Sequence, residues 1–256
     1  MSELIVGRNA VLEALKAGRE IEKINIQKLE KGTHPAGSVK QIIAKAKDAG
    51  IPVYHSDKAF MDKIMQTGSE HGDKQPNHQG VIATASNYAY CEVGDILKLA
   101  ESRGEKPFII ILDGLEDPHN LGAIMRTAEC AGAHGIIIPK RRSVSVTETV
   151  LRTSAGAAEH MLCARVTNIG KAIDELKASG VWIYACDMGD SMYYEQDFAG
   201  GVGLVVGSEG FGISRLVKEK ADFVVSIPMK GEINSLNASN AAAIIMYEVC
   251  RQKMKK

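Results

Sequence analysis

The chain carries no paired-cysteine motif, no long apolar run and no surplus of charge of either sign. Its five cysteines, Cys91, Cys130, Cys163, Cys186 and Cys250, are odd in number, and none stands in a C-x-x-C pair. That pattern argues against a disulfide framework or a zinc site. It fits a reducing cytoplasm in which cysteines act as small buried hydrophobes. Nothing approaches the ~20 consecutive apolar residues that span a membrane, and the start MSELIVGRNAVLEAL lacks the order of a signal peptide. Lysine plus arginine equals aspartate plus glutamate, at 31 each, so bulk charge neither supports nor excludes a nucleic-acid partner. There is no internal repeat and no low-complexity tract. No G-x-x-x-x-G-K-[ST] occurs, which excludes a P-loop, and no G-x-S-x-G, which excludes a nucleophile elbow. The nearest approach to a dinucleotide fingerprint, Gly207-Ser-Glu-Gly-Phe-Gly212, has the wrong spacing and falls late in the chain.

What is present suits an ordinary globular protein of one large domain or two small ones: 256 residues, 45% apolar and 24% charged. The front reads as a small α/β unit. Val11, Leu12 and Leu15 share a helical face that Gly18 ends, Ile21 to Ile26 alternates like a strand, and Val39, Ile42, Ile43 and Ala46 repeat at helical spacing up to Gly50. A short strand follows at 52–55, with Ser56 or Asp57 placed to cap a helix reaching about Met65. The stretch 66–79, QTGSEHGDKQPNHQ, has no apolar period and is the best linker, so the expected division is a domain over 1–75, a linker and lead-in over 76–104 and a larger domain over 105–256. From Pro107 onward, strand-like runs at 108–112, 135–138, 181–185, 203–206 and 223–227 alternate with helical patterns near 121–132, 147–157, 168–179, 212–220 and 238–253. Apolar strands separated by helices predict an α/β fold whose largely parallel sheet is covered on both faces.

Three segments in this second half stand out. The first runs from Asp113 to Arg126, DGLEDPHNLGAIMR; the second is VVGSEGFG, Val205 to Gly212; the third is IPMKGEINSLNAS, Ile227 to Ser239. Each follows a strand-like run and mixes glycine with a few polar side chains, so together they can build one polar site at the strand ends of an α/β sheet. Each also has a plain structural reading. Asn120 can cap a helix, Arg126 can lie on a solvated face, the glycines can serve turns, and Asn237 or Ser239 can be an N-cap. Those readings taken singly do not explain why the three segments occur together with these spacings.

The trio resembles the three motifs of the SpoU, or TrmH-type, RNA 2′-O-methyltransferases. Asn120 and Arg126 match N-x-x-x-x-x-R. Gly207, Glu209 and Gly212 match G-x-E-x-x-G. Ile227, Pro228, Met229, Gly231, Ser235, Leu236, Asn237 and Ser239 match I-P-M-x-G-x-x-x-S-L-N-x-S. The match covers about residues 105 to 254. At the front, Gly7-Arg8-Asn9-Ala10-Val11-Leu12-Glu13-Ala14-Leu15 and His78-Gln79-Gly80-Val81 resemble the longer bacterial branch of the family. That branch carries an N-terminal RNA-binding domain similar to ribosomal protein L30e, and it includes the enzymes that methylate a guanosine ribose in 23S rRNA, which this chain resembles most.

The resemblance implies a methyltransferase domain with a C-terminal deep trefoil knot of the SPOUT type, which runs against the normal rule of unknotted chains. It implies a homodimer, S-adenosylmethionine as methyl donor, no metal, and ribosomal RNA of the large subunit as partner. It assigns Asn120, Arg126, Glu209, Ser235 and Asn237 to catalysis and Gly207, Ile227, Met229 and Leu236 to the cofactor. Arginine is a good phosphate fork and a poor base, its pKa exceeding ~12, so positioning and polarising the acceptor is the firmer role for Arg126. Lys140-Arg141-Arg142, Arg152 and the tail Lys253, Lys255 and Lys256 are basic clusters open to phosphate contact or to plain solvation. His119 has no ligand-spaced partner for a metal. Two alternatives stay open: a family member acting on transfer RNA or another rRNA nucleotide, and a non-catalytic RNA-binding assembly factor.

Overall fold

The computed structural model describes residues 3–19, 21–28, 35–68, 77–85, 88–189 and 191–254. The chain divides into two compact units, Met1–Tyr88 and Ala89–Lys256.

The first unit contains β1 (Glu3–Val6), α1 (Arg8–Lys16), β2 (Ile21–Gln27), α2 (Gly37–Ala49), β3 (Val53–Ser56), α3 (Lys58–Gly68) and β4 (Val81–Ala85). Its sheet has the order β1-β4-β2-β3, with β4 antiparallel to both neighbours and β2 parallel to β3. Side chains alternate along the strands, so each face meets a different helix layer. Ile5, Ile24, Ile26 and Ala83 join the core with Val11 of α1 and Ile42 of α2, whereas Leu4, Val6 and Ile82 meet Met61 and Met65 of α3. The central strand β4 is buried throughout, as a strand covered on both faces must be. Gly50 ends α2 in the left-handed conformation at φ 70°, the stop read from the sequence.

Two segments singled out in the sequence meet here. Arg8 donates through Nε to the Gln79 carbonyl at 2.7 Å, and the Gly7 amide donates to the Val81 carbonyl at 3.0 Å. Thus the GRN segment and the HQG segment form one corner of the first unit. The expected boundary near 75 lies outside the described residues, but the lead-in assigned to 76–104 does not stay together: β4 completes the first sheet, while residues 89–104 belong to the second unit. The partners of β4 lie about 60–80 residues upstream, so its place in the first sheet is not legible from local pattern.

The second unit contains α4 (Val93–Ser102), β5 (Phe108–Asp113), α5 (Pro118–Cys130), β6 (Gly135–Pro139), α6 (Glu148–Thr153), β7 (Leu162–Val166), α7 (Ile169–Ala178), β8 (Val181–Cys186), β9 (Gly201–Gly207), α8 (Arg215–Lys220), β10 (Phe223–Val225) and α9 (Ala238–Lys253). Six strands form a wholly parallel sheet in the order β10-β8-β9-β5-β6-β7. The chain runs outward from β5 through β6 to β7, crosses to β8, and returns to place β9 between β8 and β5. Neighbouring β5 and β9 finish together, with Asp113 in register with Gly207. Ligands of parallel α/β sheets bind outside the carboxyl ends of strands where the strand order turns. One core, built on Ile109, Ile111, Ile183, Val205, Ile173 and Leu176, lies between this sheet and the helices α4, α7 and α8. The sequence reading missed α4 and β7. Ile96 of α4 packs where a Cβ on Gly135 would stand, a close approach that only the folded chain reveals.

Candidate active site

The first motif turns the chain from β5 into α5. Asp117 caps the helix by accepting the His119 amide at 3.0 Å, and Pro118 occupies the first turn, where its missing N–H costs nothing. Asn120 is therefore not the cap. It sits three residues further in, 5% exposed, with its amide turned toward the second and third motifs.

The second motif is a tight loop at the end of β9. Ser208 and Gly212 exchange backbone hydrogen bonds of 3.1 and 2.9 Å. The closure explains both outer glycines. A Cβ on Gly207 would fall on the backbone of Gly212 and Ile213, and Gly212 takes a φ of 64°. It also shortens the helix expected at 212–220, which starts only at Arg215. Ser214 just beyond donates its amide to Asp113 Oδ2 at 2.7 Å, tying this loop to the end of β5.

The third motif ends at the N-terminus of α9, where Asn237 is the cap. Its Oδ1 accepts from the Ser239 and Asn240 amides at 3.0 and 3.3 Å and from Ser239 Oγ at 2.6 Å. Its Nδ2 donates to Asn120 Oδ1 at 2.9 Å and to Glu209 Oε1 at 2.6 Å, while Asn120 Nδ2 donates to the same Glu209 oxygen at 2.9 Å. Three side chains from three separate segments thus close a ring of hydrogen bonds. Two amides converging on one carboxylate oxygen make the contacts charge-assisted and fix the three segments against one another.

Beside this ring lies a cavity of about 280 Å³ lined by Gly207, Ile227, Met229 and Leu236, together with Glu209 and Ser235. Its walls also include Cys186, Asp187 and Met188 at the end of β8 and Ala241 and Ile245 of α9. The lining divides into an apolar part (Ile227, Met229, Leu236, Ile245) and a polar part (Asp187, Ser208, Glu209, Asn234, Ser235). A lining that mixes apolar and polar groups suits a molecule that carries both. Burial pushes the Cys186 thiol above its ordinary pKa, which disfavours the thiolate. Asp187 is held by Lys218 Nζ at 2.8 Å.

The structure brings together Asn120, Glu209 and Asn237 by direct contact. Ser235 and the four residues Gly207, Ile227, Met229 and Leu236 join them through the cavity. Arg126 is not in this group. It is exposed, nearly two turns along α5 from Asn120 and outside the cavity wall. Lys140, Arg141 and Arg142 are exposed at the end of β6, and Arg142 has a φ of 55°. Arg152 is exposed on α6, while Lys253 donates to the Lys106 carbonyl; Lys255 and Lys256 lie outside the described residues. Sequence reasoning missed Asp187, Met188 and Asn234. For the first two a signal existed, since they follow a strand that ends at the same sheet edge as β9. Among the described residues no cluster of three His, Cys, Asp or Glu could hold a metal, and no helix is long and apolar enough to cross a membrane.

Comparison with known proteins identifies the family. The SpoU rRNA Methylase family profile matches residues 107–247, and the profile for RNA 2′-O ribose methyltransferase substrate binding matches residues 4–91. YacO of Bacillus subtilis (strain 168), assigned to the TrmH family of tRNA/rRNA methyltransferases, is 44% identical over 252 residues, covering 98% of this chain and 96% of YacO. Among solved structures, an AdoMet-bound rRNA methyltransferase from Sinorhizobium meliloti is similar, with a TM-score of 0.57 at 26% identity, over 98% of this chain and 87% of the other. The SpoU methyltransferase AviRb from Streptomyces viridochromogenes, in complex with the cofactor AdoMet, shares the fold, with a TM-score of 0.60 at 24% identity over 99% and 91% of the two chains. The chain belongs to the SpoU, or TrmH-type, family of RNA methyltransferases.

Proposed function

We propose that this enzyme methylates the 2′-hydroxyl of a ribose in RNA, most specifically a guanosine in 23S rRNA, with S-adenosylmethionine as donor. The observation that carries the reading is the Asn120–Glu209–Asn237 ring joined through Glu209 to a partly apolar cavity. Gly207, Ile227, Met229 and Leu236 would hold the cofactor, their apolar walls against the adenine and the polar groups of the cavity against its charged groups. When bound, S-adenosylmethionine supplies an activated methyl group and needs no metal to do so. The acceptor is the difficult partner, since a ribose hydroxyl is a weak acid that must be aligned and relieved of a proton. Arg126 would grip the phosphate beside the acceptor and polarise the hydroxyl, and Asn120, Glu209, Ser235 and Asn237 would orient the ribose. In net chemistry the 2′-oxygen gains a methyl group, the donor sulfur loses it, and the hydroxyl proton leaves.

The substrate-binding match over residues 4–91 supports RNA recognition by an L30e-like first unit. Because Arg126 is exposed and apart from the ring, the reading includes a homodimer, in which a second chain could bring the groups together. The C-terminal trefoil knot and a cytoplasmic setting belong to the same reading. Ribose-methylation mapping of total RNA from cells with and without the protein tests it. One large-subunit guanosine should lose its 2′-O-methyl mark without the protein. A lost mark in transfer RNA alone would move the target to the alternative within the family.

A further inference from the structure

Phe211 is 97% exposed, the most exposed large apolar residue among the described residues. It does not stand on a loose loop. Its own amide donates to Ser208 Oγ at 3.3 Å, and the residues around it are closed by the paired hydrogen bonds of Ser208 and Gly212. Gly210 and Gly212 flank it, and a Cβ at either would meet nothing within 4 Å. No aromatic or cationic contact to it occurs among the described residues. A fixed backbone thus presents one planar ring, free on both faces, two residues after Glu209. Two residues span at most ~7 Å, so the ring stays within reach of whatever Glu209 and Asn120 orient.

We propose that Phe211 is a stacking platform for a base at or next to the acceptor ribose. This rests on the reading of the chain as an RNA methyltransferase. Proteins recognise unpaired RNA bases by stacking them on aromatic rings, and stacking tolerates any base because each has a π-face. Phenylalanine suits this place because it is uncharged. Beside the Glu209 carboxylate it adds attraction for a base without further repulsion of phosphate. Phe211 has glycines on either side and Ser208 and Glu209 before them.

The test compares Phe211→Ala, Phe211→Leu and Phe211→Trp with the native protein in single-turnover methyl transfer over a range of 23S rRNA fragment concentrations. Cofactor affinity is measured by calorimetry, and subunit state by sedimentation. The Ala and Leu variants should need about 10- to 100-fold more RNA for half-maximal rate, with cofactor affinity and subunit state unchanged. Trp should restore the native value, and its fluorescence should be quenched by the RNA fragment beyond the response of Trp182. An Ala or Leu variant with native RNA dependence overturns the proposal. A variant that loses its subunit association instead makes Phe211 an intersubunit contact and overturns it too. If native protein transfers no methyl group to any RNA, the functional reading fails. The Trp quenching then still decides whether Phe211 stacks on a base.

Discussion

Asn237 donates to Glu209 Oε1 at 2.6 Å with one end of its side chain while the other end caps α9. A single residue therefore fixes the start of the last helix and orients the carboxylate beside the cavity. The two tasks are separable. Asn237→Asp keeps a capping oxygen but replaces the donor with a second carboxylate oxygen facing Glu209. Stability to denaturant should fall little through the cap, and methyl transfer should fall by about a hundredfold or more. Asn237→Ala removes both and should additionally cost on the order of 1 kcal/mol in unfolding free energy. Equal turnover in the Asp variant and the native protein would show that the donor end has no part in the reaction.

Arg126 lies outside the cavity, so its substitution should separate catalysis from cofactor binding. Single-turnover transfer by Arg126→Ala should fall by on the order of a hundredfold or more, with cofactor affinity unchanged. Arg126→Lys should not recover it, because an ammonium lacks the planar fork. Rapid transfer by the Ala variant would remove Arg126 from the mechanism.

The parallel sheet was readable because its strands are continuous apolar runs, and five of its six, including β5 and β9, were found that way. β7 escaped because Leu162–Val166 carries Arg165 and is only partly buried at its ends. The helix α4 lies in the stretch treated as a lead-in between domains, although Ile96 and Ala100 are fully buried. The cavity residues Ile227, Met229 and Leu236 look like ordinary core in sequence. Only motif resemblance set them apart, and the geometry then gathered them around one cavity. The ring of Asn120, Glu209 and Asn237 was beyond spacing rules, since its members lie 28 to 117 positions apart.

A buried histidine gives the second unit a pH dependence. His134 is 2% exposed, its Nδ1 accepts the Phe108 amide at 3.0 Å, and its Nε2 lies 2.9 Å from Glu105 Oε2. Burial pulls its pKa below the ordinary value, outweighing the attraction of Glu105. Charging the ring would also put a proton on Nδ1, where the Phe108 N–H points. The unfolded chain therefore takes up this proton first. The stabilisation is present above the ordinary histidine pKa of ~6.5 and is lost as pH falls toward the lowered folded value, with a slope of at most about 1.4 kcal/mol per pH unit. His134→Asn, which keeps an acceptor for the amide, should flatten denaturant stability over this window. An unchanged slope in the variant would place the dependence on other groups.

The division at Tyr88 sets where the chain can be cut. A protein of residues 89–256 retains the whole six-stranded sheet and the cavity, and should fold and bind cofactor with native affinity. A cut near 78 would leave β4 without its sheet. If the first unit contributes RNA affinity, the shorter protein should bind the rRNA fragment at least about tenfold more weakly, as read by filter binding. Native RNA affinity in the shorter protein would give the first unit another role.

The central claim is that the Asn120–Glu209–Asn237 ring and its cavity serve transfer of a methyl group to a ribose. Its most direct test is to incubate the purified protein with 23S rRNA and S-adenosylmethionine carrying a labelled methyl group. The RNA is then digested to nucleosides and the labelled product identified. The account predicts label in 2′-O-methylguanosine, accumulating on the order of a hundredfold or more slowly in Arg126→Ala and in Asn237→Asp. Label on a base in place of the ribose, or none in any RNA offered, would contradict it.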